Sequence, residues 1–189
     1  MINCGGETRN SEEDEIYRVR TLQAALVVGR EAAKRKVRCF VELSTGLVYK
    51  ADSKPRKEGD KLKPWTKLAE WKLAAEQELA KIEGLNLVVL RLASVCGDYQ
   101  SGYLATVLCM ARVYQSLGKE FKCLWTKDLK MNTAHVSDAV RAIWAAAEWG
   151  SHGFSGWRTE WGKTPVFNVV DRGQTSTHLP LPITLASQL

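Results

Sequence analysis

The stretch from Val37 to Glu76 holds the residues best placed for chemistry: the hydroxyls of Ser44 and Thr45 and the ammonium of Lys72. Ser44 and Thr45 follow Val37–Leu43, a short apolar run rich in β-formers, which predicts a strand buried on both faces. Lys72 stands on a segment entered through Pro64, in which Leu68, Trp71, Ala75, Leu79 and Ile82 make an apolar stripe at helical spacing. In an open α/β sheet, ligands bind just beyond the carboxyl ends of the strands. Any chemistry is therefore expected where the strand-end hydroxyls meet the helix that carries Lys72. The plain alternative for Lys72 is a solvated helix lysine.

The elements that must position these groups follow from periodicity. Met1–Gly6 reads as the end of a strand followed by a glycine turn. Ser11 with Asp14 resembles an acidic capping box, and Ile16, Val19, Leu22, Leu26 and Gly29/Ala33 predict an amphipathic helix over 12–35. After the Val37–Leu43 strand come a polar loop over 50–63, the Lys72 helix ending near Gly84, and a buried strand over Leu85–Leu92. Helix and strand alternating at this spacing predict a parallel sheet with crossover helices. Beyond Gly97 the alternation loosens. A helix is expected over Tyr103–Leu117, a short strand around Phe121–Trp125, and a helix capped by Ser137, lined by Val140, Ile143, Trp144 and Ala147, and ended by Gly150. A last strand is expected over Val166–Val170, followed by an irregular tail over 177–189.

Composition narrows the function classes. The chain has 189 residues, 45% hydrophobic and 25% charged, as in an ordinary globular domain. Its net charge of +6 is spread along the chain, and the densest basic run, Lys54–Lys63, is broken by Glu58 and Asp60. That run reads as a solvated loop, with a phosphate or acidic-partner surface as the alternative. Basic residues are not interleaved with aromatics, which argues against nucleic acid. Five cysteines at irregular spacing and three histidines supply no metal-ligand pattern and fit a reducing, cytoplasmic setting. No apolar run approaches a membrane span. Seven tryptophans are many for this length; Trp125, Trp149, Trp157 and Trp161 could wall a pocket or partner surface, or serve as ordinary packing.

Taken together, these segments resemble the extended short-chain dehydrogenase/reductases, the NAD-dependent epimerase/dehydratases. Asn3-Cys4-Gly5-Gly6 resembles the small-residue turn after that family's fourth strand. The segment 31–49 resembles its helix and fifth strand, WKLAAEQEL the segment after its catalytic tyrosine, and VVLRLASVCG its sixth strand. NTAHVSDAVRAIWAAAE and VFNVVDRGQTS resemble its later helix and strand, so the likeness extends over about residues 2 to 176. It implies an α/β fold built on an incomplete Rossmann-like parallel sheet. Residues 1–100 would be the nucleotide-side core, without its first three strands, and 101–176 a small mixed substrate region.

The resemblance also implies a chemistry. A tyrosine exchanges a proton with a substrate hydroxyl or carbonyl. A lysine four residues on, on the same helical face, lowers the tyrosine's pKa and holds the nicotinamide ribose. A strand-end Ser or Thr binds the substrate oxygen, and NAD or NADP carries the hydride. Thr45 and Lys72 fall at the catalytic Ser/Thr and Lys positions; Cys4, Gly5, Gly6, Ser44, Lys72 and Ala93 fall at cofactor-side positions. The tyrosine position is Leu68, which cannot exchange a proton; Tyr49 corresponds to a structural residue. The arginine that often holds a nucleotide-sugar phosphate falls at Met131, and no glycine-rich phosphate loop occurs in the sequence. The expectation is the central and late part of a longer NAD(P)-binding protein, catalytically impaired, with a small-molecule substrate for the whole protein. A homo-oligomer or a missing N-terminal half would be its partner. The alternative is a non-catalytic interaction module on the same scaffold.

Overall fold

The structure, a computed structural model, describes residues 1–9, 11–51, 56–100, 103–122, 132–152 and 164–171. Expectations for Trp125, Met131, Trp157, Trp161 and the 177–189 tail lie outside these residues, as does part of the Lys54–Lys63 run. The main sheet has four parallel strands in the order β1 (Ile2–Asn3), β2 (Phe40–Thr45), β3 (Leu87–Leu92) and β6 (Val166–Val169). A second parallel pair joins β4 (Ser94–Cys96) to β5 (Thr133–His135). The two longest runs are apolar because helices cover both faces. Phe40, Leu87 and Val89 pack on α2 (Ala24–Lys34) and α3 (Lys67–Ala80). Val41, Val88 and Leu90 pack on α5 (Val136–Ser151). This alternation of faces along each strand is what makes the fold Rossmann-like, as expected.

Several local expectations are corrected. The β2 strand begins at Phe40 rather than Val37, because residues 35–37 finish the preceding helix: Val37 N–H donates to Ala32 O, and Lys36 adopts φ 53°. Ser11 does not cap the first helix. That helix starts as α1 (Asp14–Tyr17) behind Glu13, with no side-chain cap, and passes through a π-helical segment, Arg18–Gln23, into α2. The wider π turn rotates the buried face onto Tyr17, Thr21, Ala25, Gly29 and Ala32, leaving Val19 exposed. α3 begins at Lys67, capped by the Thr66 hydroxyl, so Pro64 stands outside the helix. On α5 the cap is His135, whose Nδ1 accepts from Ser137 N–H, and the inward face is Ala139, Ile143, Ala146 and Gly150. Val140 and Trp144 face out, and Gly150 is a packing residue inside the helix rather than its end. Strands β4 and β5, three residues each, were not foreseen. Among the described residues no helix is long and apolar enough to cross a membrane.

Candidate functional site

The strands are parallel, so their carboxyl ends face the same way; β2 and β3 end side by side, and β1 ends earlier, level with Glu42. Asn3 is opposite Glu42, and Thr45 is opposite Leu92. After Asn3 the chain turns through Cys4, Gly5 and Gly6, all exposed. Gly6 has φ +143°, a backbone conformation that favours glycine. A Cβ at Gly6 would also stand 3.1 Å from Lys72 Nζ, so the glycine makes room for the ammonium as well as the turn. Lys72 reaches this point from the middle of α3. Its Nζ donates to Leu43 O at 2.7 Å and to Gly5 O at 3.4 Å, and it lies 3.6 Å from Glu42 Oε1. The Lys72 side chain keeps 12% of its surface exposed.

Ser44 and Thr45 diverge because successive side chains on a strand point to opposite faces. The Ser44 hydroxyl turns toward α3 and donates to Glu76 Oε1. Thr45 Oγ1 accepts from Leu47 N–H at 3.2 Å, capping a 3-10 turn, Gly46–Val48, which leaves its hydroxyl proton available to donate. Ala93 follows β3, and its N–H donates to Val169 O at 2.9 Å. Lys72, Gly5 and Gly6 are thus assembled at one point. Thr45 and Ala93 lie at the neighbouring strand ends, and Ser44 belongs to a buried polar network. Leu68 is half-buried on α3.

That network explains two residues at once. Arg91 and Glu76 are both buried and make a bidentate pair, with Nη2–Oε2 at 2.6 Å and Nε–Oε1 at 3.2 Å. Arg91 Nη1 donates to Tyr49 Oη at 2.7 Å, the guanidinium lies 5.1 Å from the Tyr49 ring centroid, and Tyr49 Oη donates to Asn168 Oδ1 at 2.9 Å. Tyr49 is accordingly a structural residue. The sequence reading does not single out Glu42, although it is the one acid in the Val37–Leu43 run and the one charged residue of β2. Its carboxyl is pushed up from the ordinary value by burial, against the pull of the Lys72 charge and of the Asn3 hydrogen bond.

Residues 1–158 match the model of the NAD dependent epimerase/dehydratase family. No curated protein matches the chain. Among solved structures, MoeE5 in complex with UDP-glucose and NAD is 20% identical, with a TM-score of 0.68 over 89% of this chain and 55% of its own. WbmG of Bordetella bronchiseptica in complex with NAD is 20% identical, with a TM-score of 0.69 over 89% of this chain and 49% of its own. UDP-N-acetylglucosamine 4-epimerase from Bacillus cereus is 15% identical, with a TM-score of 0.72 over 89% and 55%. At these identities the likeness is one of fold. The chain spans about half the length of these structures.

Proposed function

We propose, for a chain that belongs to the NAD-dependent epimerase/dehydratase family, that the Lys72 face of the sheet is one wall of a nicotinamide-dinucleotide site. The observation that carries this reading is the placement of the Lys72 ammonium over the Gly5–Gly6 turn at the carboxyl ends of β1 and β2. A ribose hydroxyl can compete for that ammonium, because its contact to Gly5 O is long, at 3.4 Å. The exposed glycines allow close approach of a nucleotide to backbone, and Cys4 and Ala93 continue the same rim; Ser44 is buried with its hydroxyl held by Glu76, so only its backbone borders the site. NAD or NADP, when bound, supplies the redox chemistry. The chain's own contribution is to bind and orient. MoeE5 and WbmG were both solved in complex with NAD, which supports the choice of cofactor.

Thr45 is placed to donate to a substrate oxygen. With Leu68 four residues before Lys72, the helix offers no phenol to exchange a proton. The chain by itself is therefore read as a binding wall with impaired acid/base chemistry, for a small alcohol, ketone or sugar-like substrate of the whole protein. On this reading residues 1–100 form the nucleotide side and 101–176 the substrate side, except that β6 returns to the main sheet and α5 covers one of its faces.

NADH titrated into the labelled protein is expected to move the amide signals of Gly5, Gly6, Ser44 and Ala93, with a dissociation constant weaker than about 1 mM. Lys72→Met should weaken it roughly tenfold, the loss of one charge-assisted hydrogen bond. Equal affinity of the variant, or shifts that avoid these amides, would sink the assignment. Submillimolar binding would overturn the reading of this chain as a single wall of the site. NADPH run in parallel tests the choice between the two cofactors.

Exposed apolar residues on α4 (Tyr103–Ser116) and α5 favour a second reading as a non-catalytic interaction module. They include Leu108, Met110, Val113, Val140 and Trp144. Exposed apolar patches favour association. Light scattering across a concentration series should then show a mass rising above the monomer. A monodisperse monomer at all concentrations would remove this second reading.

A further inference from the structure

Four polar links close a ring around the turn that follows β1. Gly5 N–H donates to Asn3 Oδ1 at 3.1 Å, and Asn3 Nδ2 donates to Glu42 Oε2 at 2.6 Å. Glu42 Oε1 faces Lys72 Nζ at 3.6 Å, and Lys72 Nζ returns to Gly5 O at 3.4 Å. β1, β2 and α3 each contribute, and the two charged members are Glu42 and Lys72.

Glu42 is only 1% exposed, so it cannot touch a ligand at the strand ends. Its Oε1 is buried without a hydrogen-bond partner, and 3.6 Å to Lys72 is an ion-pair distance rather than a hydrogen bond. A buried acceptor left in that condition is costly, and natural interiors seldom keep one without a reason. The remaining way for this carboxyl to act is through the two residues it holds.

We propose that Glu42 is a positioning residue of this site, locking the Lys72 ammonium and, through Asn3, the Gly5–Gly6 turn into one unit that responds to the protonation of its carboxyl. When ionised, Oε1 draws the ammonium inward, toward its 2.7 Å bond with Leu43 O and away from the rim. When protonated, it releases the ammonium to a ligand over the glycine turn. Lys72 thus becomes more available as the pH falls.

The other groups facing Glu42 do not supply this switch. Glu76, on α3, opposes ionisation of Glu42 but is itself held by Arg91. On β3, Val89 stands opposite Glu42, and Arg91, opposite Ser44, is committed to Glu76. Asn3 is neutral, and so is Thr21 of the π segment, whose hydroxyl accepts from Glu7 N–H. The sign of the stability effect follows. A carboxyl pushed up by folding binds more protons in the folded state, so stability is lost as pH rises from the ordinary carboxyl value to the raised one. Glu42→Gln removes that slope.

The ring rests on geometry; only its effect on nucleotide binding rests on the function proposed above. Carbon-13 labels on the Glu42 carboxyl and Lys72 Cε, followed through a pH titration of the full chain, test it. Both signals are expected to move with one midpoint, above the ordinary carboxyl range. Lys72→Met should raise the Glu42 midpoint, and Glu42→Gln should erase the step at Lys72. A flat Lys72 signal, or a Glu42 midpoint unmoved by Lys72→Met, overturns the proposal. Should Glu42→Gln fail to fold, the wild-type and Lys72→Met titrations still decide. NADH separates the two ideas: a shared midpoint without NADH binding retires the nucleotide site and leaves the ring standing.

Discussion

Replacing Arg91 by leucine should cost about 3–5 kcal/mol of folding stability. The reason lies in what is left behind. Glu76 and Arg91 are 6% and 5% exposed, so neither can recover water when its partner goes. In the variant the Glu76 carboxylate would keep the Ser44 hydroxyl but lose three nitrogen contacts between 2.6 and 3.2 Å. Tyr49 would lose both a hydrogen bond to its hydroxyl and a cation against its ring. Removing both charges is a smaller perturbation than removing one, because no uncompensated ion remains. Glu76→Leu/Arg91→Leu should therefore lose clearly less than the sum of the single changes. Urea unfolding measures both. A single-variant loss below about 1 kcal/mol would place the pair with surface ion pairs. Arg35–Glu31, with side chains 73% and 47% exposed, serves as the control for that class.

Gly150→Ala should lower stability by about 1–3 kcal/mol, although alanine is the better helix former. Replacing a glycine in a helix interior normally gains roughly 1 kcal/mol, and less in the last turn, where Gly150 precedes the final residue Ser151. Here the new methyl would collide with Cys39 Sγ, with Cys39 Cβ at 3.0 Å and Val88 Cγ2 at 3.5 Å behind it. Both Cys39 and Val88 belong to the central strand layer under α5, so the helix must move outward as a unit. Adding Cys39→Ala removes the sulfur but keeps its Cβ, and it should recover part of the loss. Thermal unfolding of the two variants reads this directly. A Gly150→Ala protein more stable than the parent would mean that α5 is not held this close to β2. The comparison at Gly29 is informative, because there a Cβ would meet Leu79 Cδ2 at 2.5 Å. That atom is the end of a side chain that can rotate, so the cost should be smaller.

Some of this was legible because the signal is local. Val37–Leu43 and Leu85–Leu92 read as strands covered on both faces because apolar residues fill most of their positions, and the strands that form there are Phe40–Thr45 and Leu87–Leu92. α3 could be read from its 3.6-residue stripe. On the other helices part of each expected face packs inward (Leu22, Leu26, Ala33, Ile143 and Ala147), whereas Val19, Val140 and Trp144 are exposed, for physical reasons. The π segment adds a residue per turn and rotates α2. On α5, small residues pack inward while Val140 and Trp144 remain outside. Strands β4 and β5 are too short to carry a period.

The sequence by itself determined the order of helices and strands, the parallel arrangement they require, and the presence of a lysine near the strand ends. These follow from residue types within a few turns of one another. Which charge meets which was decided only by the tertiary structure. Lys72 meets Leu43 O across 29 residues, Glu76 meets Ser44 across 32, and Tyr49 meets Asn168 across 119. Such pairings depend on sheet register and on the face each strand residue presents, and neither is written in local spacing. Glu42 is the clearest case. In the sequence it is a lone acid in an apolar run, and only the register of β1 on β2 and the reach of α3 set it between Asn3 and Lys72.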